Sequence, residues 1–119
     1  MENKIDNLRK RIKTAILDII YLCRDLPKDD TSRVFINQII RASTSVGANF
    51  EESVEAESNK DIIHKLSIVR KETKETLYWL DLIKDVYSSS AIKIDKSIQE
   101  FGELIKIFSS IISKRKNIS

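Results

Sequence analysis

From Ile5 onward, apolar residues recur in steps of three and four: Ile5, Leu8, Ile12, Ile16, Ile19, Cys23 and Leu26. This is the stripe of a helix that buries one face, because 3.6 residues complete each turn. Three more segments repeat the pattern, and between them the 119 residues hold only two Gly and one Pro. With so few breakers the regular elements must be long and the turns short.

The first helix is predicted over about Asn3 to Asp25, ended by Leu26-Pro27, since proline disfavours helical geometry in the residue before it. Lys28–Thr31 is a polar connection, and Thr31 or Ser32 is a candidate cap for the next helix. Helix two then runs to about Ala56, with Phe35, Ile39, Ser43, Val46, Phe50 and Val54 inward. Glu57-Ser58-Asn59 turns the chain again, and Ser58 with Asp61 resembles a capping box. Helix three, about Lys60 to Tyr87, directs Ile62, Leu66, Val69, Thr73, Leu77, Leu80 and Ile83 inward. Ser88-Ser89-Ser90 breaks it. Helix four, about Ile92 to Arg115, presents Ile94, Ile98, Phe101, Ile105, Phe108 and Ile112. Helices of about 25 residues are about 37 Å long. Short loops force antiparallel neighbours, so the expectation is all-α: one domain over residues 1–119, an up-down-up-down four-helix bundle.

Two helices carry more than one covered-looking face. Between Val34 and Phe50 the only charge is Arg41, and Gln38, Ala42, Ser45 and Asn49 form a small or neutral polar band with Ala56. Helix three adds a second line of Ile68, Glu72, Glu75, Trp79, Leu82 and Val86, and helix four adds Leu104, Ile107 and Ile111. A lone bundle needs one apolar face per helix, so extra faces suggest a homo-oligomer. The alternative is a wider core stripe within one chain.

Catalytic chemistry finds little support. A di-metal carboxylate bundle needs two Glu-x-x-His motifs, whereas this chain has one histidine, His64, spaced from Asp61 and read as solvated. One Cys and one His do not make a zinc site. Cys23 lies in an apolar stripe and reads as a buried thiol. Gly47 and Gly102 fall inside helices rather than in phosphate-cradling loops. The expectation is no enzyme, no cofactor and no metal. No apolar run approaches the roughly 20 residues that span a bilayer, and no secretory signal precedes the first helix, which points to the cytoplasm.

Charged residues make up 33% of the chain against a typical quarter or so, yet the net charge is only +3. That permits contact with nucleic acid without arguing strongly for it. Arg9, Lys10, Arg11 and Lys13 cluster early in helix one, while Lys114, Arg115 and Lys116 close helix four, at the same pole of the bundle. Cations at a helix C-terminus suit the dipole; those near an N-terminus do not. The first cluster is explained either by phosphate binding or by ion pairs to the acidic end of helix two, Glu51, Glu52, Glu55 and Glu57, with the balance slightly towards pairing.

Arg41-Ala42-Ser43-Thr44-Ser45-Val46-Gly47-Ala48-Asn49-Phe50-Glu51-Glu52, with Ser58-Asn59-Lys60-Asp61, Lys65-Leu66 and Lys71 through Leu80, resembles a bacterial four-helix-bundle family. Its members are known from intervening sequences of 23S ribosomal RNA genes and are often labelled ribosomal-protein-like. The chain is also similar to the accessory variability protein of diversity-generating retroelements. The family's Ser-Val-x-x-Asn-x-x-Glu pattern falls on Ser45, Val46, Asn49 and Glu52, and its Lys-Glu-x-x-Glu pattern on Lys71, Glu72 and Glu75. The resemblance implies a homopentameric ring; the retroelement protein is understood to bind nucleic acid and a reverse transcriptase through basic surfaces. Two functions therefore stand side by side: an oligomeric RNA- or DNA-associated accessory factor, or a scaffold for a protein partner.

Overall fold

The computed structural model describes residues 3–118, and four long helices account for nearly all of them: α1 (Lys4–Asp25), α2 (Asp30–Glu55), α3 (Asn59–Val86) and α4 (Ala91–Ile118), with a 3-10 turn at Ser88–Ser90 before α4. Among the described residues there is no strand, and no helix is long and apolar enough to cross a membrane. The bundle is all-α, as the stripes imply.

Side-chain caps fix the starts of the first three helices. Asn3 Oδ1 accepts the Asp6 N–H at 2.8 Å and Ser58 Oγ accepts the Asp61 N–H at 3.1 Å. The second helix differs from expectation. Its cap is Asp29, whose Oδ1 accepts the Ser32 N–H at 2.8 Å, so α2 begins before Thr31 and Ser32. Asp29 prevails because the Tyr87 hydroxyl, from the end of α3, also donates to its Oδ1 at 2.8 Å. A carboxylate accepting two bonds at a helix N-terminus suits the dipole better than a hydroxyl. Both donors, the Ser32 N–H foremost, hold the Asp29 carboxyl below the ordinary aspartate range.

Pairs across the helices show the topology. Arg9 on α1 meets Glu51 on α2, Glu52 on α2 meets Lys65 on α3, Lys84 on α3 meets Asp95 on α4, and Lys93 on α4 meets Asp25 on α1. Each pair joins antiparallel neighbours, so the starts of α1 and α3 share one pole with the ends of α2 and α4. Helix α3 packs closely on both α2 and α4, whereas α1 rests more lightly on α2 and α4.

One continuous core runs through the bundle, including Ile19, Ile39, Val46, Val69, Leu80, Ile83, Ile94, Phe101 and Phe108. Phe50 and Phe108 meet across it with centroids 6.0 Å apart. It is wider than the sequence stripes. Ala15 and Leu22 on α1, Thr76 on α3 and Leu104 on α4 are buried although they lie off the predicted seams. Conversely Ile5 and Val54, expected inside, are 48% and 37% exposed. Both lie at the pole where α1 begins and α2 ends, and there the helices do not close over them.

Gly47 serves the contact between α1 and α2. A Cβ placed there would come within 2.8 Å of Ile16 Cδ1, so the missing side chain leaves room for the tip of Ile16. Gly102 has no such role, for nothing lies within 4 Å of its would-be Cβ.

Candidate functional site

Several polar side chains on α2 bond back to the preceding turn of their own helix, Asn49 of the neutral band among them. Asn49 Nδ2 donates to the Ser45 carbonyl at 2.9 Å, Ser53 Oγ to the Phe50 carbonyl at 2.6 Å, and Thr44 Oγ1 to the Ile40 carbonyl at 2.6 Å. On α3, Thr73 and Thr76 donate to the carbonyls of Val69 and Glu72 in the same way. Hydroxyls that bond back to the preceding turn can be buried without a partner from another chain. Ala42 is wholly buried in the single chain. Gln38, Ser45, Asn49, Ile68, Trp79 and Leu82 are half-buried.

Charges line the seam between α2 and α3. Arg41 Nη1 lies 3.3 Å from Glu72 Oε2, and Arg41 Nη2 pairs with Glu75 Oε2. Lys65 Nζ reaches Glu52 Oε1 at 3.1 Å. The Glu72 side chain is only 15% exposed, so Arg41 neutralises a carboxylate that has lost most of its water. Below this ladder Trp79 packs against Phe35 with centroids 6.1 Å apart, and its buried indole N–H has no acceptor among the described residues.

The basic residues of α1 are divided between two partners. Arg9 forks onto Glu51, with Nε 2.8 Å from Oε2. Arg11 turns the other way, to α4, with Nη2 2.7 Å and Nε 2.9 Å from the two oxygens of Glu100 and a further contact to Glu103. Arg9 thus engages the acids at the end of α2 and Arg11 does not. Arg11 finds partners on α4 because it projects from the opposite side of α1. Its guanidinium, by hydrogen bonding above all, holds the Glu100 carboxyl below its ordinary value. Lys10 and Lys116 are exposed and each engages a neighbouring group. Arg115 is half-buried; its carbonyl accepts from Asn59 Nδ2 at 3.0 Å, tying the end of α4 to the start of α3.

The two basic clusters do not merge into one patch. Arg11 lies level with Glu103, and Lys114 stands eleven residues farther along α4, about 16 Å at the helical rise. Between them runs a groove of about 760 Å³. Its walls are Ile5 and Leu8 on α1 and Ile107 and Ile111 on α4, over a floor that includes Phe50 and Leu66. Lys4, Arg11, Lys106, Lys114 and Arg115 also line it, and among the described residues no carboxylate does. Lys4 and Lys106 belong to no charge cluster, so nothing in the sequence singles them out. Ile107 and Ile111 are visible there as residues beyond the main seam of helix four, but their spacing does not say what they face.

Lys4, Lys13, Lys106 and Lys114 are exposed and have no carboxylate partner among the described residues. His64 is exposed, and among those residues no group of three or more His, Cys, Asp or Glu could hold a metal ion. Burial pushes the Cys23 thiol up to about 11.

None of the curated proteins compared matches the chain. Among solved structures, a protein of unknown function from the S23 ribosomal protein family of Bacteroides thetaiotaomicron is similar, at 31% identity and a TM-score of 0.81. The match covers 88% of this chain and 97% of that one. The family description "23S rRNA-intervening sequence protein" matches residues 5–110, nearly the whole bundle with its α2–α3 ladder, and the chain belongs to that family.

Proposed function

We propose that the protein is a non-enzymatic homo-oligomer that serves as an accessory factor on RNA or DNA, holding phosphates at the pole formed by the start of α1 and the end of α4. The observation that carries this reading is the set of exposed lysines at and leading away from that pole along α1 and α4, Lys4, Lys13, Lys106 and Lys114, with no carboxylate to neutralise them among the described residues. Cations left unpaired are the ones that can exchange solvent counterions for phosphates. The family's name, which refers to ribosomal RNA, agrees with a nucleic-acid setting. Arg9 and Arg11 contribute less, because their guanidinium groups are already committed to carboxylates.

Retention on single-stranded RNA, measured against salt, tests the reading. Replacing Lys13 and Lys114 by Gln lowers affinity across sequences and reduces the salt slope by about 0.7 for each phosphate no longer neutralised. Arg9→Gln leaves the slope nearly unchanged. Absence of retention at low salt overturns the nucleic-acid reading. A monomeric mass by light scattering at micromolar concentration overturns the assembly.

A second reading, a scaffold for a protein partner, is favoured by Tyr78, which is 58% exposed and meets the Trp79 ring edge-on with centroids 5.3 Å apart. Interfaces are rich in aromatic residues with one polar end. A partner that co-purifies with the wild type but not with Tyr78→Ser supports it; a partner equally retained by that variant rules this face out.

A further inference from the structure

We propose that the groove between α1 and α4 is a binding site for a free, single-chain amphiphile with an anionic head group, a carboxylate or a phosphate. Apolar side chains that belong in a core are here left open. Ile5 is 48% exposed, and it faces Ile107 and Ile111 across a floor that includes Phe50 and Leu66. The volume of about 760 Å³ falls in the range of small-molecule sites, which are mostly apolar with a few placed charges.

Charge and length choose the occupant. Among the described residues, every ionisable one that lines the groove is a cation, so an apolar molecule carrying a negative head is matched and one carrying a positive head is repelled. Arg11 is already forked onto Glu100 and Glu103, which leaves Lys106 at one end and Lys4 and Lys114 at the other as the groups that can take a new anion. From Lys106 to Arg115 the wall of α4 extends about 14 Å, close to an extended chain of roughly ten to twelve carbons. A partner helix of three turns is already longer, about 16 Å, and its diameter would press on the cationic walls. Nucleic acid matches the charges but leaves the apolar floor uncovered.

Calorimetric titration of the full chain with dodecanoate, below its aggregation concentration, tests the site. Saturable binding of one molecule per chain is expected, with dodecyl phosphate behaving alike. Butyrate, which lacks the chain, and an uncharged twelve-carbon alcohol ether, which lacks the anion, should each bind at least about tenfold more weakly. The double variant Ile5→Gln with Ile111→Gln should weaken dodecanoate about tenfold while keeping the charge, and so RNA retention, unchanged. Lys106→Gln with Lys114→Gln should weaken it severalfold and reduce its salt dependence. The proposal is overturned if dodecanoate shows no saturable binding, or binds both double variants as tightly as wild type. It is also overturned if the protein floats with anionic phospholipid vesicles but ignores the free amphiphile. Dissociation of an oligomer by the isoleucine variant, with no amphiphile bound to wild type, would show that a second copy fills the groove. RNA retention is read separately in every variant, so failure here and failure of the nucleic-acid reading are distinguishable.

Discussion

Replacing Gly102 by Ala isolates a single physical effect. Gly102 is in the interior of α4, has no positive φ, and has nothing within 4 Å of a would-be Cβ. The substitution therefore adds no clash and gains helix propensity, worth about 0.8–1 kcal/mol. For a chain of this length the unfolding entropy near the midpoint is about 0.25 kcal/mol/K, so Tm should rise by about 4 °C. Gly47→Ala is the matched control. It gains the same propensity but must push Ile16 Cδ1 back from 2.8 Å, and an off-rotamer side chain costs about 0.5–1.5 kcal/mol, so the net change should be near zero. Thermal unfolding followed by far-UV circular dichroism, at one fixed protein concentration, compares the two. A Gly102→Ala protein no more stable than Gly47→Ala refutes the reasoning. A Gly102→Ala protein less stable than wild type would mean that something occupies that side of α4 in solution.

Other perturbations have defined outcomes. The Cys23 thiol, buried and pushed up to about 11, should stay unreactive toward a disulfide reagent at mildly alkaline pH and release one equivalent after unfolding. Arg41→Ala leaves Glu72 largely desolvated without its cation and should cost about 1–3 kcal/mol in urea denaturation; Glu72→Gln in the same background should recover part of it. Arg11 holds the Glu100 carboxyl low, so this pair stabilises the fold above the unfolded glutamate value of about 4.3 and the contribution is lost as pH falls through the lower folded value. Glu100→Gln should accordingly be less stable at neutral pH and show a shallower loss of stability in acid; an unchanged acid limb would remove Glu100 from that role.

The helices were legible because three- and four-residue steps, unbroken by Gly or Pro, admit little else. Their ends were less so. Asp29, Asp30, Thr31 and Ser32 are all acceptable caps, and the choice of Asp29 depends on Tyr87, 58 residues away. The same limit applies to charge. Clusters at the start of α1 and the end of α4 could be seen, but not that Arg9 and Arg11 diverge to different helices, which depends on how α1 is rotated against its neighbours. Spacing showed that Ile5 and Val54 are on apolar stripes; it could not show that the helices part beside them. The amide of Asn49, one of the neutral polar band of α2, finds an acceptor on the preceding turn of its own helix. Hydrogen bonds made so locally leave no trace in a hydrophobic pattern.

The light seating of α1 sets an order in which the molecule comes apart. Its backbone approaches its neighbours at fewer points, and charge pairs at Arg9, Arg11 and Asp25, exposed or partly buried, help fasten it to α2 and α4. Added salt loosens such fastenings while leaving the greasy interior of the other three helices nearly untouched. Backbone amides of the first helix should thus trade hydrogen for deuterium ahead of those in α3, and ionic strength, more than warmth, should set the gap between them.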